Sequence, residues 1–195
     1  MPKIVDPVAR REQVAEAVIA EIVENGLRSV SLSRIAERTG LAIGSIRHFF
    51  GDTREMMRFT LGALTQRALE RAASRTLSAD PATRISDLVR FSVPFSEQER
   101  RENIAFVEYR VLARTDRELA ADIAAVTTKA KAAVESLLRD VLVGQDVDDD
   151  TLRRETLHLY SVIEGLCFSA AQQPTPLAEA DVRAVAETFA ARLGR

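Results

Sequence analysis

Apolar side chains recur three and four residues apart along almost the whole chain, a period that fits helices and not strands. Val14, Val18 and Ile22 begin the pattern, with Ala15 and Ile19 widening the stripe. No stretch alternates between apolar and polar residues with the Val, Ile and Thr content of a strand. Only 8 Gly and 6 Pro occur in 195 residues, and Ala, Leu, Arg and Glu are abundant, which favours helix throughout. The sequence predicts an all-α fold. Apolar residues make up 46%, enough for a core.

Local chemistry marks the helix ends. A first helix spans about Asp6 to Asn25 and stops at Gly26. Ser31 caps a short helix ended by Gly40, with Val30 and Ile35 as a hydrophobic staple. Leu41 and Ile46 repeat the staple around Ala42 and start a second short helix. Asp52 caps a long one from about Thr53 to Leu77, with Met57, Leu61, Leu64 and Ala68 on one face. Asp80-Pro81 opens a helix that stops near Pro94. Ser96 and Glu99 form a capping box for the next, which ends near Arg114. Asp116 starts a helix carrying Ile123, Ala130, Val134, Leu137 and Val141, closed by Gly144. The remaining helices run from Thr151 to about Gln172 and from about Ala178 to Leu193, the last with Val182, Ala186, Phe189 and Leu193 in line. That makes nine.

The composition also excludes functions. With 27 basic and 29 acidic residues the chain has a net charge of −2, so it is no basic nucleic-acid coat. Charged residues interrupt the first 25 positions, and no apolar run reaches the ~18 residues of a membrane span. One cysteine, Cys167, rules out an internal disulfide and a cysteine-based metal cluster. The expected location is cytoplasmic, with no membrane partner. His48 and His158 are the only histidines, so Glu155-x-x-His158 has no second such motif to pair with, and no Gly-rich phosphate loop occurs. An enzyme, a metal site and a cofactor are therefore not expected. Residues 27–58 carry Arg28, Arg34, Arg38, Arg47, Arg54 and Arg58 against Glu37, Asp52 and Glu55, a net +3 that leaves −5 for the rest. A small basic module on an acidic body suits local phosphate contact.

The two short helices at 31–50 form a helix-turn-helix candidate. Ile35, Ala36, Gly40, Gly44, Ser45, Ile46, His48 and Phe50 resemble, in kind and spacing, the motif of TetR-family transcriptional regulators. The resemblance is strong over residues 8–68, and the helix layout extends it to the full chain. It implies a three-helix DNA-binding head over 1–50 and a helical ligand-binding and dimerisation body over 51–195. Candidate DNA contacts are Ser31, Ser33, Ala42, Ile43, Gly44, Ser45, Arg47, His48, Phe49 and Arg54. Arg47 can read guanine through a bidentate contact. Ser31 and Ser33 lie at a helix N-terminus suited to phosphate. Phe50 reads as a core plug; for Phe49, core and DNA contact stay open. The sequence departs from the family pattern at Ala42, where serine is usual, at Arg47 and Phe49, where tyrosine is usual, and at Thr53, where lysine is usual. These departures leave the operator sequence unspecified.

The segments 101–110 and 157–176 resemble a BetI-type regulatory domain. That resemblance implies a small-molecule effector and a homodimer formed through the last two helices. The helix from Thr151 is apolar nearly all round, which calls for burial on every side. Leu159, Ile163, Leu166 and Phe189 are the expected self-contacts. Candidate pocket residues are Phe91, Phe95, Phe106, Tyr109, Arg110, His158 and Tyr160. Arg110 would suit an anionic ligand or pair with a nearby glutamate. A quaternary ammonium would want an aromatic cage, and the chain has no Trp. The function expected is a repressor released from a palindromic operator by a small molecule. The alternative is a helical adaptor of the same fold that no longer binds DNA.

Overall fold

A computed structural model describes residues 6–193. Among these residues nine α-helices and one short 3-10 turn form the whole structure, with no strand. They are α1 (Pro7–Asn25), the turn Leu27–Ser29, α2 (Leu32–Thr39), α3 (Ile43–Phe50), α4 (Thr53–Ser74), α5 (Pro81–Ser92), α6 (Glu97–Ala113), α7 (Arg117–Val141), α8 (Asp149–Gln172) and α9 (Glu179–Leu193). The ends of the two expected segments, 1–5 and 194–195, lie outside the described residues.

The capping chemistry acts where the sequence places it. The side chains of Asp6, Ser31, Asp52, Asp80, Ser96 and Asp116 each accept a backbone N–H from the first turn of their helix. Ser96 and Glu99 complete a reciprocal capping box. Two boundaries differ from expectation. Helix α4 ends at Ser74 rather than Leu77, because Arg75 turns to extended backbone and its guanidinium bonds the Phe91 carbonyl and Glu99. Helix α8 starts two residues early, because Asp148 accepts the Thr151 N–H at 2.7 Å.

Two apolar cores result. The first joins Val14, Val18 and Ile22 of α1 with Ile35, Ile46, Phe50, Met56, Leu61 and Leu64, and takes in Ala105 and Tyr109 of α6. The head therefore packs across residue 50 into α4 and α6. The second core joins α5, α7, α8 and α9 through Ile85, Val89, Leu138, Leu159, Val182 and Phe189. Ala68 and Ala130, expected inside, are exposed. Past Leu64 the side of α4 that meets α6 carries Arg67 and Arg71, and on α7 Leu138 is buried instead.

Charge fastens the two parts together. Glu102 of α6 is 5% exposed and accepts from Arg67 at 3.3 Å and Arg71 at 2.6 Å. Arg67 also reaches Glu12 and Glu16 of α1, at 2.7 and 2.5 Å. Removing one member of a buried network strands the other charges. Because the arginines are partly solvated, Glu102→Gln should cost about 2 kcal/mol. Urea unfolding followed by circular dichroism at 222 nm measures it.

Candidate DNA interface

Helices α2 and α3 meet at a tight corner. Gly40 ends α2 in the left-handed region (φ 69°), and the Leu41 N–H bonds the Ala36 carbonyl at 3.1 Å. Helix α3 is pinned by its inner face, where Ile46 and Phe50 are 0% and 1% exposed. Its outer face is Ile43, Gly44, Arg47 and His48, all exposed. Arg11 of α1 locks the far end of α3: it donates to the Phe49 carbonyl at 3.0 Å and lies 5.6 Å from the Phe50 and Phe59 ring centroids. Phe49 is half-buried against the head core and meets the His48 ring edge-on.

Exposed apolar Ile43 suits a thymine methyl, and Arg47 and His48 carry donors for base edges or phosphate. Ala42 precedes α3 without a side-chain cap. Ser45 is half-buried on the flank of the helix. At the start of α2 the Ser31 hydroxyl accepts the Arg34 N–H at 3.3 Å and lies 3.1 Å from the Ser33 hydroxyl. These hydroxyls and the remaining first-turn amides have the chemistry to receive a phosphate. At Gly44 an added Cβ would meet nothing within 4 Å. Packing inside the protein therefore does not require glycine there.

The arginines of the basic module are unequal. Arg34 and Arg38 clasp the buried Glu21 from the surface at 2.8 and 3.0 Å, and Arg38 also holds Glu24 at 2.6 Å. Burial would raise the Glu21 carboxyl, but bonds from Ser29, Arg34 and Arg38 outweigh it and hold the carboxyl at about 2. Arg54 reaches Asp116 and Glu118, and Arg58 reaches Asp122, both across to α7. Arg28 and Arg47 make no ion pair among the described residues. The sequence did not single out Glu21. Its signal was an acid lying three residues after Val18 within the apolar stripe of α1.

Residues 81–195 match the family model of the BetI-type transcriptional repressor C-terminal domain. This chain is a TetR-family transcriptional regulator with a BetI-type C-terminal domain. It is 28% identical to the regulator PksA of Bacillus subtilis over 178 residues, 89% of this chain and 84% of that protein. It is 35% identical to BetI of Yersinia pestis over 89 residues, 44% of each. A Rhodococcus transcriptional regulator has the same fold at TM-score 0.81 and 22% identity, covering 94% of this chain and 95% of that one. A Saccharomonospora viridis regulator solved with choline matches at TM-score 0.80 and 16% identity, over 93% and 95%.

In this TetR-family chain the residues singled out for a ligand pocket are scattered. Tyr109 is buried in the head core, and its hydroxyl donates to the Met57 carbonyl at 2.9 Å. Phe106 packs beside that core; Phe95 and Tyr160 belong to the other. Phe91 lies under Arg75 and Arg90. Arg110 pairs with Glu164. His158 is exposed, beside Arg192 and Phe189. A cleft of about 850 Å³ opens instead between α4 and α7, with Phe59, Gly62, Leu69 and Val126 in its wall and Arg58 and Lys129 along it.

Two outcomes test the interface. Gly44→Ala should stabilise α3 by up to about 1 kcal/mol while weakening DNA binding, because the added methyl stands on the outer face; melting and gel shift read the two effects separately. A lowered carboxyl stabilises the fold above its unfolded value and stops doing so as pH falls through the folded one. The stability that Glu21 lends the head should therefore be complete at neutral pH and fade between about pH 4.5 and pH 2. Comparing the chain with Glu21→Gln by acid titration of its circular dichroism checks this.

Proposed function

We propose that the protein acts as a homodimeric repressor on a palindromic operator and leaves it when a small molecule binds the body. The carrying observation is the outer face of α3, where Ile43, Gly44, Arg47 and His48 stand exposed on a helix anchored by Ile46 and Phe50. An adaptor without DNA binding has no use for a rigid, exposed face that includes an arginine free of ion pairs.

The expected self-contacts need revision. Leu159 and Phe189 are 0% and 4% exposed and Ile163 8%, all packed inside their own subunit; Leu166 is half-buried. A partner meets the other side of α8 instead. There Leu157 and Phe168 are each 51% exposed, with exposed Ser161 and Gly165 between them at helical spacing. On the last helix, Val185 of α9 is also exposed, at 39%. Two heads then occupy major grooves about one helical turn apart on one side of the DNA. The choline complex of the Saccharomonospora neighbour supports a small-molecule effector for a body of this fold.

A gel shift on the DNA upstream of its own gene tests the reading. Affinity should fall steeply with salt, by about 0.9 in log–log slope per phosphate contact; a flat response, or no shift at all, overturns operator binding. Leu157→Glu with Phe168→Glu should give a 21.5 kDa particle in light scattering that no longer shifts the operator. An undisturbed dimer would place the interface elsewhere.

A further inference from the structure

Where α6 faces α8, the protein has buried more positive charge than negative. Arg110 is matched by Glu164. The Asn103 amide donates to the Cys167 carbonyl at 2.8 Å, and the Cys167 thiol donates to the Ser92 carbonyl at 3.3 Å. Arg100 has no such match. It is 8% exposed, and its Nη2 donates to the Gln173 carbonyl at 2.9 Å. Its Nη1 is buried with no acceptor among the described residues. The neighbouring carboxylates are engaged elsewhere, Glu99 by Arg75 and Glu102 by Arg67 and Arg71. The end of α8 at Gln173 offers Arg100 only about half a negative charge.

We propose that Arg100 anchors the anionic end of the effector, and that this effector is an apolar carboxylic acid bound as its carboxylate. The proposal rests on the reading of the body as a sensor. One uncompensated charge calls for a monoanion, and a guanidinium matches a carboxylate in shape and hydrogen-bonding pattern. Along the chain, Val93 before α6 is buried in the second core, Phe95 packs on that core, and Ala170, three residues before Gln173, is buried, so an apolar remainder suits the ligand. Gln172 to Pro176 are exposed. Gln173, whose carbonyl takes Nη2, lies in this exposed stretch, so the proposed route for the anion to Nη1 is past this surface turn rather than through the core. Arg110, the arginine the sequence offered for an anion, is closed by Glu164.

The test is calorimetric titration and thermal melting of the full chain with benzoate and octanoate, beside benzamide, choline and inorganic phosphate. The two carboxylates should bind and raise the melting temperature; the other three should not. Arg100→Gln should weaken carboxylate binding by about tenfold or more and melt no lower than the parent, since an unmatched buried charge has gone. Arg100→Lys, which keeps the charge and loses the fork, should bind with intermediate strength.

Failure of both carboxylates to bind at millimolar concentration, or equal binding by Arg100→Gln, overturns the proposal. A lower melting temperature for Arg100→Gln together with no carboxylate binding by the parent makes Arg100 only a clasp on the end of α8. Gel shifts with the same compounds separate the two readings. Release by choline that Arg100→Gln does not alter keeps the sensor and removes the carboxylate. Arg100-dependent carboxylate binding that never changes operator affinity keeps the site and removes its role in sensing.

Discussion

The Tyr109 hydroxyl donates to the Met57 carbonyl from a fully buried position, and burial pushes its phenol well above the ordinary value. Helices α4 and α6 cannot slide past one another without leaving both groups unpaired in the interior. On the same helix Glu102 collects Arg67 and Arg71, and Glu108 accepts the Leu27 N–H at 3.3 Å just beyond α1. Helix α6 is thus fixed to α4 at two levels and to the head, at Leu27, at a third. Its other side meets α8 through Arg110, Asn103 and Arg100. Both apolar cores take their relative position from this helix together with α7, which gives Leu119 to the first core and Val134, Leu137 and Leu138 to the second.

The head keeps little charge for display. Arg34 and Arg38 close the corner between α1 and α2 over Glu21, so two of the six cations that make residues 27–58 basic hold the fold together. Arg54 and Arg58 are shared with α7, but their side chains remain 57% and 53% exposed. Pairs that open to water are weak, and a DNA phosphate can compete for either arginine. If DNA takes either arginine, Glu118 and Asp122 become part of the electrostatics of binding. On the proposed reading, direct readout falls to a small area of α3 whose shape is set by apolar anchors.

Helix boundaries were legible because a cap is chemistry among neighbours: a side-chain oxygen and an amide two or three positions away. The helix-turn-helix was legible for the same reason, since Val30, Ile35, Leu41 and Ile46 lie within one short window. Buried charge was not. Arg67 and Glu102 are 35 residues apart, and Arg100 and Gln173 are 73 apart, so no local pattern couples them. A trace existed even so: Glu21 and Glu102 both lie at helical spacing among residues that are buried, Val18 with Ile22 and Ala105 with Tyr109. The aromatic residues misled because an aromatic side chain at helical spacing packs a core whether or not a ligand is near. The self-contact misled because apolar character all round α8 does not say which side its own subunit covers.

Helix α6 runs 17 residues from Glu97 to Ala113 without an interior Gly or Pro, so it moves as a rod. A displacement forced on its α8 side must reappear where Glu102 and Tyr109 meet the head. Those contacts resist partial movement: a hydroxyl a little too far from the Met57 carbonyl loses its bond in the interior, and buried Glu102 loses a partner that water does not replace. On the proposed reading of the body as a sensor, two discrete seatings of α6 are what an effector would need in order to choose between head positions. The coupling is reciprocal, so operator DNA that selects one seating weakens the effector by the factor the effector weakens DNA, with about 1–3 kcal/mol as the usual scale. That scale is comparable to the worth of a single buried hydrogen bond to a charged group. One such bond made in only one seating of α6 is therefore enough to set the response.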